Sequence, residues 1–128
     1  MQVFLPYAKP NKTVKCLDNK RLNKQILECF QIMSAITNIN IGWKIPKYVY
    51  NHPCTLLWKN NISYLKVYTY SLLNEFWLRR KKNHACMKLL NNFDGIYGYD
   101  LHHVNVEFCK KHQEILLNKN YEHYKKYF

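Results

Sequence analysis

Apolar residues recur at helical spacing along most of this chain, and they mark out three long segments. Leu22, Ile26, Phe30 and Met33 fall on one face of a helix predicted over 13–37. Trp58, Ile62, Leu65, Leu72 and Phe76 form a second stripe, over about 55–80. Val104, Phe108, Ile115 and Leu116 form a third, over about 102–118. A shorter helical piece is expected at 84–91. Residues 1–12, with Pro6 and Pro10, read as an irregular arm. The stretch NINIGWKIPKYVYNHP holds Gly42, Pro46 and Pro53 and cannot be continuous helix. Gly95 and Gly98 punctuate a second loop, NNFDGIYGYD. No stretch alternates with a strand period. The pattern predicts an all-α domain spanning 1–128, with three main helices, an irregular N-terminal arm and an aromatic, basic C-terminal tail.

Charge narrows the partner. Twenty Lys and Arg stand against eight Asp and Glu, a formal +12, which suits a polyanion and nucleic acid above all. An apolar content of 48% with 16% aromatics excludes a disordered chain. No apolar run reaches the ~20 residues needed to cross a bilayer. The opening MQVFLPYAKP is too short and Pro-broken for a signal peptide. The chain therefore reads as intracellular, with no membrane partner, and as a monomer. Its five cysteines are scattered without a C-x-x-C pair, and read as reduced, buried small hydrophobes. Cys109 and His112 have metal-compatible spacing but no second matched pair, so they read as helical packing rather than as metal ligands.

One acid stands out. At 100° per residue, Arg21, Lys24, Gln25 and Gln31 share the helix face of Glu28, while Ile26, Phe30 and Met33 occupy the other. Glu28 has two readings, an i,i+4 ion pair with Lys24 worth ~0.2–0.5 kcal/mol or a chemical role. On a surface facing phosphates a carboxylate is repelled, so a task is needed to keep it. The cluster EFWLRRKK at 75–82, with Arg79 and Arg80, fits either a helix dipole or a phosphate clamp. The tail packs its rings inward or stacks them on bases. His52 precedes the second helix, where it can cap that helix or reach a ligand. No H-E-x-x-H, P-loop, nucleophile elbow or Gly-rich dinucleotide turn is present. The α-amino group remains as a nucleophile, since its reference pKa of ~7.7–8.0 lies far below that of lysine. Attack on a sugar C1′ would expel the base and form a Schiff base, with a carboxylate steadying the sugar cation and moving protons.

Six stretches carry a resemblance: MQVFLPY (1–7), CLDNKRLNKQILECFQI (16–32), GWK (42–44), NHPCTLLW (51–58), EFWLRR (75–80) and KHQEILLNKNYEHYKKYF (111–128). In this order they resemble the pyrimidine dimer DNA glycosylases, the bacteriophage endonuclease V family, and especially its small bacterial branch. The resemblance implies three helices with the N-terminal arm threaded between the first two. It also implies glycosylase and abasic-site lyase activity on cyclobutane pyrimidine dimers in double-stranded DNA, without metal or cofactor. Met1 and Glu28 become the catalytic pair. The residues expected to contact DNA are Gln2, Lys20, Arg21, Lys24, Gln25, His52, Arg79, Arg80, Lys111, His112, Tyr124, Lys125, Lys126 and Tyr127. The phage enzyme exposes a threonine amine after losing its methionine, whereas Gln2 here disfavours that removal and leaves the amine on Met1. Leu27 and Gln31 stand where phage active-site arginines fall.

Overall fold

The chain turns helical earlier than its apolar period predicts, because Pro10 occupies the first turn of a short helix where its missing N–H costs nothing. In the computed structural model, which describes residues 1–98 and 103–128, the order is α1 (Pro10–Cys16), α2 (Asn19–Thr37), α3 (Lys47–Tyr50), α4 (Pro53–Trp58), α5 (Ile62–Arg80), a 3-10 segment (Met87–Phe93), α6 (Val106–Lys119) and α7 (Tyr121–Tyr124). Among the described residues no strand occurs. The three expected long helices are α2, α5 and α6.

Two of them are shorter than expected. The predicted 13–37 helix breaks at Leu17, whose ψ of 136° is extended, and restarts from Asp18. The predicted 55–80 helix divides at Asn61 (φ −137°, ψ 43°). An apolar stripe can run on across a break of a few residues, so periodicity alone did not show either one. The 84–91 piece is instead the 3-10 segment. The third helix starts at Val106, with Asn105 accepting a hydrogen bond from the Phe108 N–H; the expected start at residue 102 lies outside the described residues. Gly98 is needed where it stands: a Cβ there would lie 2.9 Å from the Asn60 carbonyl oxygen. That close approach lets the Ser63 N–H donate to the Gly98 carbonyl at 3.2 Å, pinning the loop to the start of α5.

The core lies between α2 and α5, filled by Ile26, Phe30, Met33, Leu65, Tyr68 and Leu72 together with Trp58 and Phe93. Val3, Phe4 and Leu5 of the arm are buried in it. An extended segment inside a helical core needs partners for its backbone polar groups, and side chains of three helices supply them. The Phe4 N–H donates to Gln25 Oε1 of α2 at 2.9 Å, and the Phe4 carbonyl accepts from the Tyr68 hydroxyl of α5 at 2.8 Å. The Leu5 N–H donates to His112 Nδ1 of α6 at 2.8 Å. The arm is thus threaded between α2 and α5, with α6 closing over it.

His112 can accept that bond only while its ring is neutral. Burial, with the Lys111 charge adding to it, pushes its pKa down to about 4. An unfolded histidine titrates near ~6.5. Above pH 6.5 both states hold a neutral ring; below it the unfolded chain takes up the proton first. Stability from this residue is therefore lost as pH falls from about 6.5 to about 4, by a total of about 3 kcal/mol. His112→Gln keeps an acceptor for Leu5 without titrating. The melting temperature of that variant should fall less steeply across this pH window than the wild-type value, and parallel curves would refute the assignment.

Candidate active site

Glu28 sits midway along α2 and is buried beneath the arm. Its Oε2 accepts from the Gln2 N–H at 3.3 Å and from Gln25 Nε2 at 3.4 Å, while Oε1 lies 3.9 Å from Lys24 Nζ. The two readings of this acid therefore meet. The Lys24 pair exists, but it is long and Lys24 is well exposed, so it contributes little. The backbone contact is the more telling one, since it holds the carboxylate one peptide unit from the α-amino group. Met1, Gln2, Phe4, Arg21, Lys24, Glu28 and Lys119 line a small cleft of about 60 Å³ here. A lone carboxylate thus shares a cleft with three cationic side chains and the N-terminal residue.

A larger cavity of about 380 Å³ adjoins it, sharing Met1 and Gln2 and walled by His52, Cys54, Leu57, Trp58, Phe108, Lys111 and His112. His52 caps α4, its Nδ1 accepting from the Cys54 N–H at 3.1 Å. Pro53 at N1 completes that start, so α4 begins where it does for local reasons and carries His52 to the cavity wall. The Cys54 thiol is pushed up to about 11, first by burial; it also feels the charges of both Glu28 and the N-terminal amine. It is a neutral group lying near both. Among the described residues no cluster of three or more His, Cys, Asp or Glu could hold a metal ion.

Several residues expected on the DNA surface are elsewhere. Tyr124 is fully buried; its hydroxyl donates to Asp18 Oδ1 at 2.7 Å and accepts from the Asp18 N–H at 3.1 Å. Its ring holds α7 against the start of α2 and is closed to a nucleobase. Burial acts to raise the Asp18 carboxyl, but hydrogen bonds from Tyr124 and Asn120 with the Arg21 and His123 charges outweigh it and hold the group below its usual range. Gln25 is 1% exposed and bonds the arm. His112 is buried on the far side of it. Arg79 is taken up internally, donating to Glu75, Asn19 and the Val14 and Lys15 carbonyls, and so ties α1 and α2 to α5. All four make contacts within the fold, because each finds protein partners that only tertiary packing brings near.

The rest stay outward. Lys20 and Lys24 are exposed on α2, Arg21 is half-buried with its guanidinium 5.8 Å from the Phe4 ring, and Lys111 is exposed on α6. Arg80 lies 5.8 Å from the Phe76 ring at the end of α5. In the tail, Lys125 pairs with Glu122 at 2.8 Å and Lys126 lies 5.3 Å from the Tyr127 ring. Lys119 was missed by the sequence reading; it belongs to the LLNK stretch of the resemblance and comes to the cleft through the α6–α7 turn.

The domain is helical, and its cleft sets a buried carboxylate beside the N-terminal residue within a basic rim. The pyrimidine dimer DNA glycosylase family profile matches residues 1–90, and the chain belongs to that family. The match includes the arm, Glu28, His52 and all of α5. No curated protein and no solved structure matches the chain significantly. No helix among the described residues is long and apolar enough to cross a membrane.

Proposed function

We propose that this protein is a DNA glycosylase with abasic-site lyase activity that opens DNA at cyclobutane pyrimidine dimers. The observation that carries the reading is the buried Glu28 carboxylate held by the Gln2 N–H, inside a cleft that Met1 shares with Arg21, Lys24 and Lys119. Family membership supplies the substrate class. The lysines and arginines around the cleft hold phosphates, a sequence-independent attraction. The lesion is reached by bending the duplex and displacing a base, which a dimer eases because it stacks and pairs poorly. The cavity beside Met1 offers room for a displaced group.

In the first step the Met1 amine, in its neutral form, attacks C1′ of the 5′ nucleotide of the dimer. The glycosidic bond breaks with its electron pair leaving on the pyrimidine, and the amine proton departs as the sugar ring opens to a Schiff base. Glu28 stabilises the cationic sugar as it forms. It then accepts the 2′ proton, and the electron pair released expels the 3′ phosphate. Strand cleavage follows without an added oxidant, reductant or metal.

The test is nicking of supercoiled plasmid in EDTA. UV-irradiated plasmid should be converted to the open form while undamaged plasmid is left intact. Equal nicking of both would overturn the substrate, dependence on divalent metal would overturn the chemistry, and binding without nicking would leave a DNA-binding module. Affinity for dimer-containing duplex should also fall steeply with salt, with a log–log slope of about −0.9 per phosphate contact. A flat salt curve would show that the basic rim meets something other than DNA.

A further inference from the structure

Gln25 uses both ends of its amide in the interior. An amide side chain has two donor hydrogens and two acceptor lone pairs. Its Oε1 accepts from the Phe4 N–H at 2.9 Å and lies 3.1 Å from the Tyr68 hydroxyl, whose single proton it shares with the Phe4 carbonyl. Its Nε2 donates to the Gln2 carbonyl at 2.6 Å and to Glu28 Oε2 at 3.4 Å. The orientation of the amide is fixed by this company, because a flipped amide would set its NH₂ against the Phe4 N–H and its oxygen against two acceptors. Tyr68 is itself fully buried, and its hydroxyl also donates to the Phe4 carbonyl. One side chain therefore spans the two parts of the proposed reaction, touching the backbone beside the amine and the carboxylate that serves it.

The consequence for Glu28 is an inequality between its oxygens. Oε2 is occupied by the Gln2 N–H and by Gln25, whereas Oε1 meets only the distant Lys24 ammonium. We propose that Gln25 is the positioning residue of this site: it holds Oε2 so that Oε1 is presented to the sugar, and it fixes Gln2 so that the amine is delivered to the same atom. The inference rests on the function proposed above, and it assigns to Gln25 a task in the interior of the protein in place of contact with DNA.

Gln25→Glu tests this with little change in shape. The new side chain keeps an acceptor for Phe4 and Tyr68 but sets a second carboxylate oxygen against the Gln2 carbonyl and Glu28. The other charged or titratable groups around Glu28 are unchanged, namely Arg21, Lys24 and Cys29 of α2, Lys119 of α6, Cys54 of α4 and the N-terminal amine. Two adjacent carboxylates share a proton more readily than one. In single-turnover cleavage of a dimer-containing duplex the acidic limb of the pH–rate profile should therefore move upward by about one unit or more. The rate at neutral pH should fall about 100-fold, the cost of small displacements at a reacting centre, with Kd changed less than about threefold. Tyr68→Phe removes the hydroxyl that lies between the amide and the Phe4 carbonyl; it should lower the rate about tenfold, again at constant Kd, and decides the matter alone if the first variant does not fold. A lowered melting temperature with rate and acidic limb unmoved would make Gln25 a structural residue only and overturn the inference. Wild-type protein that cleaves nothing would sink the proposed function with it, whereas wild-type cleavage beside an unmoved Gln25→Glu profile would sink this inference alone.

Discussion

Glu28→Gln should abolish strand cleavage at dimers, lowering the single-turnover rate by at least about 1,000-fold, while binding to the same DNA is retained or tightens. The substitution is nearly isosteric, and an amide oxygen can still accept from the Gln2 N–H and Gln25. What disappears is a negative charge and a proton acceptor. Stabilisation of a developing cation by a fixed charge in a dry site, and proton transfer in the elimination step, each contribute factors of ~10²–10⁴. Binding moves the other way. Removing one negative charge from a cleft rimmed by Arg21, Lys24 and Lys119 relieves repulsion against phosphate. Filter binding or gel shift beside a cleavage time course separates the two effects. Cleavage at the wild-type rate would refute the catalytic role and return Glu28 to a structural ion pair.

The second large effect concerns the amine. Borohydride added during the reaction should trap a covalent enzyme–DNA adduct, and peptide mapping should place it on residue 1. Acetylating the N-terminus, or extending it by two residues, should reduce trapping and cleavage by at least about 1,000-fold while leaving the fold intact. At pH 7 about a tenth of a typical α-amino group is neutral, against a few parts in ten thousand of a typical lysine. A protein with twenty Lys and Arg residues thus has one amine type suited to attack by protonation state. The geometry agrees, since the arm is anchored on both sides just behind Met1, by Gln25 and by Tyr68. An adduct on Lys24 or Lys119, the two lysines that share the cleft, would show that the wrong nitrogen was chosen. In that case acetylation of the N-terminus would leave activity largely unchanged.

These effects depend on features of unequal visibility in the sequence. The helical class, the loop around Pro46 and Pro53, and the common face of Arg21, Lys24, Gln25 and Glu28 follow from a 3.6-residue period and a few helix breakers. They are consequences of local geometry and need no knowledge of the fold. The start of α4 at Pro53 was legible in principle, since Pro at N1 behind a capping residue is a local signal. The breaks at Leu17 and Asn61 were not, because apolar stripes on either side stay nearly in phase.

The interior fate of the polar residues was decided only in three dimensions. Gln25 and Lys24 are neighbours with similar character on a helical wheel, yet one is 1% exposed and the other open to solvent. The difference is made by an arm from 21 residues away, whose Phe4 N–H needs an acceptor. His112 meets Leu5 across 107 residues, and Tyr124 meets Asp18 across 106. A buried extended segment must satisfy its backbone, and the side chains that do so are chosen by packing rather than by sequence neighbours. The sequence by itself determined a basic helical protein with one carboxylate on a cationic face. Tertiary structure decided that this carboxylate lies under the N-terminal arm, because only the folded chain brings the Gln2 N–H to one of its oxygens, whereas the Gln25 amide is already within reach one turn away on the same helix.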